Sequence, residues 1–245
     1  MRPHGSVYDA QEVLLPTHSH RDSDLDEPLV WALGHNFASI EADVWWVDGC
    51  MWIGHERSDV DSGRTLGQVY LGPIFRAARE GRIAEPVSLL VDIKNAPNSV
   101  YRTLDHELRP HSEMLTRLEH EEVVSGPIRV ILSGERPIEL AAQDASRLVF
   151  LDGRLPEIGA DPRLFPTVSL DWPKLFDWNG EGAMPSETKQ GVRMLVEQTH
   201  AAGQTLRFWG TREDPTMWSA LLNLGVDLIN CDDVVALTEF LMSRR

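Results

Sequence analysis

Residues 37–56 read Phe-Ala-Ser-Ile-Glu-Ala-Asp-Val-Trp-Trp-Val-Asp-Gly-Cys-Met-Trp-Ile-Gly-His-Glu, and this stretch decides the fold. An apolar run reaches the pair Asp48-Gly49 and returns through Met51-Trp52-Ile53 to His55. Asp-Gly between two such runs predicts a tight hairpin. Glu41 and Asp43 are two residues apart, so a strand points both carboxylates to one face, among apolar Ile40, Ala42, Val44 and Trp45. Two acids on one face of an apolar strand repel each other and lose hydration unless a positive charge lies between them. A divalent cation is the simplest such charge, because hard cations prefer oxygen ligands. The plain alternative is an edge strand with two solvated acids. The return strand carries His55 back toward the carboxylates.

Outward from the hairpin, Val87 to Lys94 is a nearly continuous apolar run, the pattern of a parallel strand covered on both faces. It ends on Asp92 and Lys94, again two apart. Upstream, Val13-Leu14-Leu15-Pro16 reads as a first strand that runs into Thr17-His18-Ser19-His20-Arg21-Asp22, and Glu27 to Asn36 as a helix. Residues 57–66 read as a polar loop and Leu66 to Glu80 as a helix. Downstream, the pattern predicts strands at Ile128–Leu132, Leu148–Leu151, Thr167–Leu170, Leu206–Trp209 and Val226–Asn230. Helices are expected at Asn98–Glu121 with a break at Pro110, at Ile138–Asp144, at Ser186–Ala202 with Ser186 as its cap, at Pro215–Leu224 and at Asp232–Ser243. Strands alternating with helices imply a parallel sheet. Eight such units in 245 residues match a single-domain (β/α)8 TIM barrel with its core at about residues 13–243. An open doubly wound sheet is the structural alternative. The chain has no Gly-x-Gly-x-x-Gly or Walker-type loop to support nucleotide binding.

The formal net charge of -15 argues against a nucleic-acid footprint, which needs a basic surface. A phosphate-bearing substrate stays compatible, since a bound cation reverses the local field. No run of about 18 apolar residues is present, so no transmembrane helix is expected. Residues 1–15 carry Arg2, Asp9 and Glu12 and show no secretory signal, and a cytoplasmic location is expected. Cys50 and Cys231 sit far apart in apolar stretches and read as two buried thiols. The tryptophans Trp45, Trp46 and Trp52 read mainly as packing residues.

In a barrel, catalytic side chains come from the C-terminal ends of the strands. His20-Arg21, Glu41-Asp43, Asp92-Lys94, Trp209 and Asn230 all fall there. Glu41, Asp43 and Asp92 would hold one Mg²⁺ or Ca²⁺. Two histidines would flank it as acid and base, and Lys94 and Arg21 would meet phosphate charge. Spacing alone does not choose between His18 and His20, which share a strand face. Trp209 reads equally as core or as a wall of the site.

The joint pattern resembles the glycerophosphodiester phosphodiesterase and phosphatidylinositol phospholipase C superfamily of TIM-barrel phosphodiesterases. It is most similar to the sphingomyelinase D-like and altered-inheritance-of-mitochondria-protein-6-like branch. The likeness is carried by His20-Arg21-Asp22-Ser23, Ile40-Glu41-Ala42-Asp43-Val44-Trp45, Gly54-His55 and Val91-Asp92-Ile93-Lys94, and later by Phe208-Trp209-Gly210 and Leu228-Ile229-Asn230-Cys231-Asp232-Asp233. The resemblance implies His20 and His55 as the catalytic pair, with Glu41, Asp43 and Asp92 as ligands of one divalent cation. It also implies a glycerophosphodiester or lysophospholipid-like substrate, with a cyclic phosphate as one product. The His20-Arg21-Asp22 segment departs from the His-Arg-Gly of common glycerophosphodiesterases, which bears on the substrate. Other readings of the same barrel are a binding protein without turnover and a metal-dependent aldolase or lyase.

Overall fold

The computed structural model describes residues 14–25, 27–60, 63–83 and 85–244. Val13 of the expected first strand, Asp61 and Ser62 of the polar loop and most of the N-terminal stretch read for a signal lie outside the described residues. The strands, in chain order, are β1 (Leu15–Ser19), β2 (Phe37–Val47), β3 (Cys50–Ile53), β4 (Val87–Ile93), β5 (Arg117–Glu119), β6 (Glu122–Val124), β7 (Ile128–Gly134), β8 (Val149–Gly153), β9 (Thr167–Asp171), β10 (Thr205–Trp209) and β11 (Leu228–Cys231). The apolar runs make the parallel strands because both of their faces are covered: Leu89, Val91 and Ile93 on one face of β4 and Leu90 on the other are buried. β1 pairs in parallel with both β11 and β2, which closes β1, β2, β4, β7, β8, β9, β10 and β11 into a barrel. The expected (β/α)8 architecture is therefore present.

β3 lies antiparallel beside β2, and Trp45 faces Trp52 across that pairing. Asp48 and Gly49 have φ of 50° and 82°, both positive as a two-residue type I′ turn requires. Trp46 packs against the core, while Cys50 is exposed rather than buried and Cys231 is buried as expected. The turn puts Cys50 at the hairpin tip, as the first residue of β3.

The helices are α1 (Val30–Gly34), α2 (Gly72–Arg79), α3 (Pro97–Leu108), α4 (Ile138–Gln143), α5 (Trp172–Leu175), α6 (Ser186–Ala201), α7 (Pro215–Asn223) and α8 (Val234–Met242). The helix expected over Leu66 to Glu80 begins as a π-helical segment (Gly67–Leu71) that continues into α2. Three others differ from the sequence reading for local reasons. α1 starts three residues late because Leu29 adopts φ 68° and gives its N–H to the buried Asp22 carboxylate at 2.6 Å. The helix expected to run to Glu121 ends at Leu108, where Pro110 removes a backbone donor and a 3₁₀ turn (Arg109–Met114) follows. Residues 117–124 then form the hairpin β5–β6 through His120 and Glu121, whose φ values of 50° and 67° set another primed turn. α6 is preceded by Pro185 and has no side-chain cap, so Ser186 lies in the first turn and does not cap the helix. The β8–β9 connection carries a 3₁₀ turn (Leu155–Glu157) in place of an α-helix. No helix among the described residues is long and apolar enough to cross a membrane.

Candidate active site

The barrel interior is polar at its C-terminal end. β2 sends Ile40, Ala42 and Val44 outward and Ser39, Glu41 and Asp43 inward by simple alternation. β4 places Asp92 directly beside Asp43 in register. The carboxylates of Glu41, Asp43 and Asp92 each offer an oxygen, and these oxygens all lie within 4.8 Å of one another. Two oxygens on opposite sides of one ion are separated by about 4.2 Å for Mg²⁺ and about 4.6–5.2 Å for Ca²⁺. The spacing suits one hard cation. Asp43 Oδ1 is buried and faces two nitrogens, Lys94 Nζ at 2.7 Å and His55 Nδ1 at 3.4 Å. Ser23 donates to the other oxygen, Oδ2, at 2.8 Å.

Lys94 places its ammonium 2.7 Å from Asp43 Oδ1 and against Asp92 Oδ2. Burial opposes its charge, but the two carboxylates outweigh burial and raise its pKa. The Asp92 carboxyl is raised in turn, first by burial and then by the charge on Glu41, with Lys94 opposing. Crowded acids and one lysine make this corner of the barrel a place where cationic charge is stabilised.

Glu41 reaches across the barrel. Its Oε2 accepts from His18 Nε2 at 2.8 Å and from Arg207 Nη1 at 3.1 Å, so Oε1 is left toward the mouth. Burial opposes the carboxylate charge, yet the His18 bond and the Arg207 charge hold its pKa well below the usual range. His18 Nδ1 meets Ser39 Oγ at 2.8 Å, and burial with the nearby Arg207 charge pushes its pKa down to about 4. His18 is thus a neutral, enclosed imidazole beneath the acids. His20, one pleat higher, is the accessible one: its Nδ1 bonds Asp232 Oδ1 at 2.6 Å and its Nε2 lies 3.9 Å from Glu41 Oε1. Burial would lower its pKa, but the Asp232 bond and the Glu41 charge win and raise it above 6.5. The Glu213 carboxylate accepts the backbone N–H groups of Asp232 and Asp233 at 2.7 and 3.3 Å, which fixes the turn that presents Asp232.

His55 leaves β3 at the same mouth. Its Nδ1 is 3.4 Å from Asp43 Oδ1, and its ring centroid is 6.5 Å from that of His20. The structure thus gathers His20, His55, Glu41, Asp43, Asp92 and Lys94. Asn230, on β11 beside His18, accepts from Arg207 Nη1 through Oδ1 at 2.9 Å, which leaves its NH₂ as the free end. Trp209 ends β10 with the Lys174 ammonium 5.7 Å from its ring centroid. Arg21 turns to Asp24 instead, with Nε 3.0 Å from Oδ2. Sequence reasoning missed Arg207 and Glu213, and quoted Asp22, Ser23 and Asp232 as motif residues without giving them a role. Asp22 accepts from Leu29 N–H, Tyr70 OH and Ser19 Oγ and so holds the loop after β1. Burial raises the pKa of the Asp22 carboxyl and, with the Asp22 charge, that of the Tyr70 hydroxyl.

The barrel has the fold of solved glycerophosphodiester phosphodiesterases. A putative glycerophosphoryl diester phosphodiesterase from Silicibacter pomeroyi superposes with a TM-score of 0.60, covering 94% of each chain at 13% identity. A phosphodiesterase from Oleispira antarctica, in complex with the product sn-glycerol-3-phosphate, superposes with a TM-score of 0.58 over 94% of this chain and 97% of that one, also at 13% identity. The family model of the AIM6-like phosphodiesterase domain matches residues 9–85 and 79–152, and the chain belongs to that family. Altered inheritance of mitochondria protein 6 of Eremothecium gossypii is 28% identical over 93% of this chain and 70% of its own length. The homolog from Arthroderma benhamiae is 27% identical over 91% of this chain and 83% of its own length.

Proposed function

We propose that the protein is a metal-dependent phosphodiesterase that cleaves a glycerophosphodiester or lysophospholipid-like substrate with His20 and His55 moving the protons. The observation that carries this reading is the convergence, at one barrel mouth, of two half-buried imidazoles 6.5 Å apart with three carboxylates of metal-ligand spacing. Glu41 Oε1, Asp43 Oδ1 and Asp92 would hold the cation, Mg²⁺ or Ca²⁺. The cation would supply charge stabilisation to the phosphoryl oxygens.

The protein's own groups do the rest. The Asn230 NH₂ donates to a phosphoryl oxygen, Lys94 turns to another once the cation takes its place at Asp43 and Asp92, and Trp209 forms a wall. His55 takes the proton of a substrate hydroxyl as its oxygen attacks phosphorus. His20, whose hold on a proton is strengthened by Asp232 and Glu41 against the effect of burial, gives its proton to the departing alcohol oxygen. One P–O bond forms and one breaks, which yields a cyclic phosphate and a free alcohol. Attack by water in place of that hydroxyl yields a phosphomonoester. His18 and Arg207 take no proton in either step. They orient Glu41.

Phosphorus NMR on a panel of phosphodiesters incubated with the protein and Mg²⁺ or Ca²⁺ tests the reading. A cyclic or open phosphate that appears with cation and is abolished by EDTA is the expected result. A panel left intact under both cations removes it.

A further inference from the structure

Ser23 joins the loop after β1 to a carboxylate of the acid cluster. Its hydroxyl donates to Asp43 Oδ2 at 2.8 Å, and the residue is 2% exposed, so water has little room to take its place. We propose that Ser23, braced by Arg64, is a positioning residue that makes Asp43 a one-oxygen ligand and so biases the site toward Mg²⁺ over Ca²⁺. The proposal rests on the metal-dependent reading of the site and adds to it a basis for the choice of ion.

A serine holds a carboxylate only if its own backbone is fixed. On one side, Asp22 is fully buried, and its carboxylate accepts from Ser19 Oγ, Leu29 N–H and Tyr70 OH. On the other, Arg64 Nη2 donates to the Ser23 carbonyl at 2.9 Å. Arg64 is anchored in turn: its carbonyl accepts the Ile53 N–H at 2.9 Å, and Thr65 bridges to Trp52. The brace therefore runs from β3, the strand that leads to His55, through Arg64 and Ser23 to Asp43. With Oδ2 engaged by Ser23, Asp43 turns Oδ1 toward Lys94 and the cluster. Glu41 is restricted in the same way, because His18 and Arg207 hold its Oε2. Ca²⁺ takes about six to eight oxygens and often both oxygens of one carboxylate, whereas Mg²⁺ fills an octahedral shell from single carboxylate oxygens, waters and substrate phosphate. Carboxylates held to one oxygen each withhold from Ca²⁺ the extra ligands it would take.

The test is calorimetric titration of the full chain, stripped with EDTA and dialysed, with MgCl₂ and with CaCl₂ in the absence of any phosphodiester. Loss of an outer-shell partner commonly costs about 10- to 100-fold in metal affinity. Ser23→Ala should show that loss for Mg²⁺ and a smaller loss, or a gain, for Ca²⁺, so the ratio of the two dissociation constants moves toward Ca²⁺. Arg64→Met should move the ratio the same way, and Arg64→Lys, which keeps a donor, should move it less. The double variant should match Ser23→Ala, because Arg64 acts through Ser23. A general loosening of the fold would weaken both ions alike. Equal losses for the two ions, an unchanged ratio in both single variants, additive losses in the double variant, or a wild type that binds neither ion overturns the proposal. If Ser23→Ala does not fold, the two Arg64 variants decide. A ratio shift in a protein that cleaves no phosphodiester would sink the enzymatic reading and leave the ion choice. Cleavage with a ratio that Ser23→Ala leaves unchanged would sink the ion choice alone.

Discussion

Replacing Arg207 with methionine isolates what holds Glu41 in place. Both side chains are 5% exposed, and Nη1 lies 3.1 Å from Oε2. Removing one partner of a buried ion pair leaves an uncompensated charge and typically costs about 3–5 kcal/mol. Arg207 also donates to Ser169 Oγ at 3.0 Å and Asn230 Oδ1 at 2.9 Å, so two more buried acceptors lose their donor. The retained His18 bond to Glu41 works the other way and keeps the total near that range. For a chain of this size the loss corresponds to a melting point lower by about 6–20 °C. Urea denaturation followed by circular dichroism, with calorimetric melts, gives the value. The companion is Arg207→Met with Glu41→Gln, which removes both charges. It should be less destabilised than the sum of the two single variants by about 1 kcal/mol or more. A single-variant cost under about 1 kcal/mol, or additivity within about 0.5 kcal/mol, would refute the clamp.

His18 has its pKa pushed down to about 4 by burial, against 6.5 in the unfolded chain. The unfolded chain therefore binds a proton that the folded one refuses, and stability falls as pH drops from about 6.5 to 4, by up to about 3 kcal/mol. Urea midpoints across that window should flatten in His18→Asn, and an unchanged slope would contradict the assignment. In catalysis, the raised pKa of His20 sets the alkaline limb of the pH–rate profile, since activity is lost as His20 gives up its proton. Asp232→Asn should move that limb to lower pH, and His55→Ala should lose about 10²-fold or more of the rate. An unmoved limb in the first variant and a full rate in the second would remove the two-histidine scheme. Cys50 should react with a maleimide in the native protein and Cys231 only after unfolding, with mass spectrometry as the readout. Early labelling of Cys231, whose thiol pKa burial raises, would contradict the packing of β11.

Much of the fold was legible because parallel strands covered on both faces leave continuous apolar runs, such as Val87–Ile93. The acid cluster was legible for a similar reason: strand period two put Glu41 and Asp43 on one side, and the matching end of β4 put Asp92 beside them. Arg207 was not legible, because it meets Glu41 across 166 residues of chain and only barrel closure joins them. Asp232 lies 212 residues from His20 for the same reason. The ambiguity between His18 and His20 also needed the third dimension. Both face inward, and depth in the barrel separates a neutral enclosed imidazole from one bonded to Asp232 at the mouth. The missed β5–β6 hairpin has a local cause. His120 and Glu121 adopt positive φ without the glycine or asparagine that would have announced the turn.

The account turns on whether the three carboxylates bring a cation to a phosphodiester. The most direct measurement is the rate of phosphodiester cleavage, followed by phosphorus NMR, as Mg²⁺ or Ca²⁺ is titrated into the EDTA-stripped protein and its Asp43→Asn variant. The wild type should pass from inactive to a saturating rate. The variant should stay folded, because it loses one of several crowded acids, and should lose about 10²-fold or more of that rate, as removal of one electrostatic group at a reacting centre commonly does. Cleavage that proceeds equally in EDTA, or a variant as active as the wild type, would contradict the metal-centred reading.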